Sequence, residues 1–328
     1  MKKNSSAVRS TATRGVLLVG TLLAVACTKE TTAGEDKGIG ISNIQPAAND
    51  DSFRTPFDAT PDPKGENVYF TALTKEGVPA VFTVPAKGGA TKLLHQGEPL
   101  ASPFGIAISE DGQRLFIADG SASPSGPEGD ADDDRGGVLT MAVTGGVPTF
   151  LGGTAGKSPR GVEVVGDQVY FTAKTGKKAG VYRTGLGGGA VGAVFEGSPV
   201  EDPSGITITK KGVVYFMDSS GEGIAGSAVL SITDGKIATV KDGLAVGHPA
   251  GIALVSDDSA VLVSGIAPAT QTDIVYRIEL GSGAMKSFSD VIGNFQESAG
   301  LHRAKGAEIY AWADSKANKS GTVYVLTK

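Results

Sequence analysis

Along most of this 328-residue chain the apolar positions fall in short aromatic or β-branched runs, each broken by Gly, Pro or Asp-rich turns. Six of these runs correspond: NVYFTA, RLFIAD, QVYFTA, VVYFMD, AVLVSG and EIYAWA. Each follows a phrase of the form Pro-x-Gly-apolar-x-apolar. SPFGIAI (102–108), SPRGVEV (158–164), DPSGITI (202–208) and HPAGIAL (248–254) are full copies, and TPFDATP (55–61) and ESAGLHR (297–303) are degenerate ones. A third run follows in every copy (AVFTV, GVLTM, GVYRT, AVLSI, IVYRI, TVYVL), and a fourth in five (TKLLH, PTFLG, GAVFE, IATVK, MKSFS). The slot held by Pro56, Pro103, Pro159, Pro203, Pro249 and Ser298 advances by 47, 56, 44, 46 and 49 residues.

Four short strands per repeat of roughly 40–50 residues predict an all-β fold, a six-bladed β-propeller with four antiparallel strands in each blade. The sixth repeat ends after its third strand. The alternating segment Ile39-Gly40-Ile41-Ser42 is expected to supply the missing outer strand and close the ring. Composition agrees. Gly occurs 48 times, about twice the average usage, which disfavours long helices and suits tight turns.

The N-terminus reads differently. Lys2, Lys3, Arg9 and Arg14, with no acid among them, precede the apolar run Val16–Leu23, as in a secretory signal too short to span a bilayer. The run ends at Ala24-Val25-Ala26-Cys27, which resembles a bacterial lipobox. That resemblance implies signal removal and acylation of Cys27, leaving residues 1–26 as signal, 27–37 as a lipidated flexible tether and 38–328 as the propeller. An ordinary Ala-x-Ala cleavage site beside a stray Cys is the alternative. Acylation would consume the only thiol of the chain, so no disulfide is expected. Thr28 after the Cys favours the outer membrane. Loss of residues 1–26 takes the formal charge from −5 to −9, which argues against a nucleic-acid partner.

The phrase P-x-G-I-A-I followed by D-G-x-x-L-F-x-A-D resembles NHL repeats and the gluconolactonase (senescence marker protein) superfamily over residues 55–328. The lactonase-like members of that superfamily imply one divalent metal at the channel mouth, ligated largely from the position between Pro and Gly. Those positions here hold Phe57, Phe104, Arg160, Ser204, Ala250 and Ala299, which offer a hard cation at best one hydroxyl.

Residues flanking the phrase face the same opening, so Asp58, Arg160, Asp202, His248 and Glu297 form the candidate top-face pocket, with Glu163 and His302 slightly deeper. A solvated, salt-bridged rim is the structural alternative. The long connection 120–136 holds Asp130, Asp132 and Asp134 at the spacing of a calcium loop. Arg135 and Met141, however, occupy the positions where an EF-hand needs its Gly and Glu. Calcium at this weak loop is the one cofactor left open. Lys174, Lys177 and Lys178 are expected to pair with it. GGGAVG (187–192) reads as a hairpin turn, because Gly197, Pro199 and Pro203 leave no room for a dinucleotide-binding helix, and Trp312 as a core residue. The expectation is a non-catalytic, membrane-anchored envelope lipoprotein that binds a protein, glycan or small ligand on its top face. The alternative is a metal-dependent lactonase-like hydrolase, or a quinoprotein-like oxidoreductase, using the channel mouth.

Overall fold

The computed structural model describes residues 41–124, 135–176, 178–219, 226–270, 272–288 and 298–328, all within the compact unit Gly38–Lys328. Strand β1 (Asn43–Ala48) comes first. Blade 1 is β2 (Phe53–Pro61), β3 (Asn67–Thr74), β4 (Pro79–Pro85) and β5 (Lys92–Gln96). Blade 2 is β6 (Pro103–Ile108), β7 (Arg114–Asp119), β8 (Gly137–Ala142) and β9 (Thr149–Phe150). Blade 3 is β10 (Pro159–Val165), β11 (Gln168–Thr175), β12 (Lys178–Gly185) and β13 (Gly192–Glu196), and blade 4 is β14 (Pro203–Ile208), β15 (Val214–Asp218), β16 (Ser227–Thr233) and β17 (Lys236–Leu244). Blade 5 is β18 (Ile252–Leu254), β19 (Ala260–Ala267), β20 (Thr272–Glu279) and β21 (Met285–Phe288). Blade 6 has β22 (Ser298–Arg303), β23 (Ile309–Asp314) and β24 (Thr322–Thr327).

Each blade is a four-stranded antiparallel sheet in sequence order, except that blade 6 takes β1 as its outer strand. Contacts between successive inner strands run from blade 1 around to blade 6 and back to blade 1, closing the ring. The six sheets are thus the six expected blades. The closing strand lies a few residues beyond the expected segment. Asn43 pairs with Thr327 and Ala48 with Val323, while Ser42 adds one more bond from its N–H to the Thr327 carbonyl. Pro46 sits inside β1, which only an edge strand tolerates, because its missing N–H faces away from the ladder.

The inner three strands of a blade are covered on both faces by neighbouring blades. That is why runs such as RLFIAD are apolar throughout rather than alternating. Six apolar clusters result, one at each blade junction. Phe53, Phe70 and Phe82 pack with Val323 and Val325 between blades 1 and 6, and Ile41 and Ile44 join Trp312 and Tyr324 between blades 5 and 6. Trp312 is a fully buried core residue, as expected.

The glycine of the phrase has a packing reason. A Cβ on Gly105 would lie 2.6 Å from the Arg160 carbonyl of blade 3, and one on Gly251 would lie 2.7 Å from the Ala299 carbonyl of blade 6. Only a residue without Cβ lets adjacent inner strands come this close. Blade 1 is the exception, since Asp58 occupies that slot.

Candidate functional site

The inner strands all start at one mouth of the channel, where the Pro-x-Gly phrases gather, and end at the other, where they turn back into the second strands. At the phrase mouth Arg160 Nη1 lies 2.9 Å from Asp202 Oδ1 and donates to His248 Nε2 at 3.1 Å. That bond makes Nε2 the acceptor. Lys174 approaches Asp202 at 3.8 Å. Phe57 and Phe104 meet edge to face with centroids 5.9 Å apart, and Phe104 lies 6.3 Å from the His248 ring. Blades 1 to 4 and the linker into blade 5 thus converge on one half-exposed patch of two phenyl rings, a guanidinium, a carboxylate and an imidazole.

Arg160, Asp202 and His248 are therefore brought together as a group. Asp58 is not at this rim. It is only 3% exposed and belongs to a second, deeper set with Glu163 and His302. Glu297, the loop acids Asp130, Asp132 and Asp134, and Cys27 lie outside the described residues. Among the described residues Lys174 approaches Asp202, as above, and Lys178 pairs with Glu196 at 2.9 Å; the acidic loop with which they were expected to pair lies outside the described residues. Lys177 is outside the described residues.

The deeper set crosses the ring. His302 Nε2 donates to Asp58 Oδ2 at 2.9 Å, and the same carboxylate accepts the N–H of Ile106 at 2.9 Å and of Ala59 at 2.8 Å. On its other side His302 Nδ1 faces Glu163 Oε2 at 3.7 Å. Glu163 Oε1 accepts from Lys305 Nζ and from the Val164 N–H, and Lys305 also donates to the Val164 carbonyl at 2.8 Å. Blades 6, 1, 2 and 3 are joined by this chain of two anions and two cations, whose formal charges cancel.

Burial works against the His302 charge, but the neighbouring Asp58 and Glu163 overcome it and hold the imidazole protonated, with its pKa raised to about 10. Burial likewise disfavours the Glu163 charge, and the cations Lys305 and His302 outweigh it, lowering that carboxyl to about 2. Charges this well matched and this deeply buried organise the ring. Among the described residues no group of three or more His, Cys, Asp or Glu is placed to hold a metal ion.

A further structural role went unread in the sequence. Asp119 and Asp218 end the second strands of their blades opposite Pro103 and Pro203. Asp119 accepts the N–H groups of Ala101, Ser102, Ser121 and Ala122, and Asp218 those of Glu201 and Asp202. Burial raises the Asp119 pKa against the pull of these donors. The Asp ending both RLFIAD and VVYFMD was the available signal.

No protein-family model matches this sequence, and no curated protein matches it. Among solved structures the chain is similar to a PQQ-bound aldose sugar dehydrogenase from Streptomyces coelicolor, with a TM-score of 0.61 and 13% identity over 88% of this chain and 99% of that one. It is similar to a chain of a nidogen/laminin complex, with a TM-score of 0.56 and 14% identity over 72% of this chain and 80% of that one. TolB from Acinetobacter baumannii matches with a TM-score of 0.52 and 10% identity, covering 84% of this chain and 55% of that one. At such identities the likeness establishes the fold, a six-bladed β-propeller, and nothing of the chemistry.

Proposed function

We propose that this chain is an extracytoplasmic lipoprotein, anchored through Cys27, whose propeller binds a ligand at the phrase mouth without transforming it. The observation behind this reading is the meeting of Phe57 and Phe104 with the Arg160–Asp202 pair and His248 at one opening. Phenyl rings cover the apolar faces of a sugar, and a guanidinium beside a carboxylate offers both donors and acceptors to its hydroxyls. Of a protein, a glycan or a small ligand, this set suits a glycan best. The small residues before Cys27 and the acidic, thiol-free body that would follow acylation support the anchored, extracytoplasmic setting, with the outer membrane favoured.

Two measurements test the two halves of the reading. Labelling with a clickable fatty acid should mark the wild type and not Cys27→Ala, and the variant should leave the membrane fraction. Glycan-array binding should be lost in Phe104→Ala and in Arg160→Ala with the melting temperature nearly unchanged. Stoichiometric metal in the purified protein together with lactone turnover would overturn the non-catalytic reading.

A further inference from the structure

The mouth opposite the phrases holds a cavity of about 330 Å³ to which all six blades contribute, through Pro63, Glu110, Glu163, Lys210, Asp258 and Lys305 among others. This is the small end of the range for small-molecule sites, about 300–1,000 Å³. Its inner end is the Glu163–Lys305 pair, whose charges satisfy each other. The remaining charges of the lining do not pair in that way.

Arg303 donates from Nε to the Leu254 carbonyl at 2.8 Å and from Nη1 to the Ala304 carbonyl at 3.2 Å, and its charge is felt by the Glu308 carboxylate without a direct ion pair to it. Lys210 and Asp258 take part in no ion pair among the described residues, and Glu110 accepts the Gly166 N–H at 2.9 Å. Asp258 belongs to blade 5, between the blades of Lys210 and Arg303. A bare anion drawn to the two cations meets this carboxylate, and a bare cation drawn to Asp258 meets the cations on either side. A molecule carrying both signs satisfies both, and Val165, Ile208 and Leu254 give its linker an apolar wall.

We propose that this cavity binds a small zwitterion, with its anionic group toward Lys210 and Arg303 and its ammonium toward Asp258. The site is separate from the phrase mouth and does not depend on the lipid anchor.

Isothermal titration of the full-length protein tests it with γ-aminobutyrate and O-phosphoethanolamine as zwitterions, and with butyrate and butylamine as single-charge controls. The zwitterions should bind, with the controls at least tenfold weaker, a difference of about 1.4 kcal/mol. Lys210→Gln and Asp258→Asn should each weaken zwitterion binding at least tenfold while leaving the melting temperature unchanged. Both positions lie in surface turns, and Asn tolerates the positive φ of 57° at residue 258. Absence of heat for both zwitterions at millimolar concentration, equal binding of butyrate or butylamine, or full binding in both variants would overturn the proposal.

Discussion

His302 makes the stability of the ring depend on pH in a direction fixed by its neighbours. Its folded pKa is about 10 against an ordinary 6.5, so between those values the folded chain keeps a proton that the unfolded chain has released. Stability is therefore full below about pH 6.5 and falls as pH rises toward 10, by about 1.4 kcal/mol per pH unit while the difference lasts. The whole window amounts to on the order of 5 kcal/mol, at the upper end of the roughly 3–5 kcal/mol lost when one partner of a buried ion pair is removed. Asp58→Gly/His302→Ala is the informative control. It removes one anion and one cation together and installs the pair that blade 2 carries at these slots as Gly105 and Ala107. Urea unfolding across this window should show a steep decline for the wild type and a much flatter profile for the double variant. His302→Ala alone should cost about 3–5 kcal/mol at neutral pH, because Asp58 is left without its cation. A wild-type profile that stays flat, or a double variant that declines as steeply, would refute the reasoning.

At the acid end Glu163, held near 2 against an ordinary 4.5, contributes stability that is complete above about pH 4.5. It is lost as pH falls toward 2, and Glu163→Gln should flatten that limb of the same profile. Ile44→Ala in β1 should cost about 2–5 kcal/mol by denaturant titration, since Ile44 is only 2% exposed and sits at the ring closure. Gly161→Ala should lower the melting temperature strongly, because the new methyl group runs into the Ser204 carbonyl of blade 4, whereas Gly192→Ala, with open space around it, should have little effect. Neutralising the Arg160–Asp202 pair should change stability by less than about 1 kcal/mol, since both side chains are a quarter exposed, and a double-mutant cycle measures this directly.

The architecture was legible because a propeller repeats its local code. Every blade but the first has a Gly where its inner strand passes the next blade, and the covered strands are apolar on both faces. The recurrence of Gly105, Gly161, Gly205, Gly251 and Gly300 therefore carries the fold. The closing strand was harder to place, because Pro46 looks like a breaker until the strand is known to be an edge. Arg160, Asp202 and His248 could be grouped because each lies within or directly beside the phrase in successive repeats, Arg160 between Pro and Gly and the other two just before the Pro. Asp58 flanks its phrase as well, yet it fills the slot where other blades have Gly, and that departure sends its carboxylate inward to the Ile106 N–H and His302. The partnership of Glu163 with Lys305 joins opposite blades across the channel, and no spacing along the chain encodes such a contact.

The placement of β1 also has a mechanical consequence. β24 ends at the mouth where the inner strands turn back, and Asn43 pairs with its last strand residue, so β1 begins on that side. A pull on the start of β1, directed away from this mouth, runs along the strand and strains its five pairings with β24 together in shear instead of peeling them apart one at a time. The seam that closes the circle is thus loaded along its strongest direction, all of its pairings sharing the force at once.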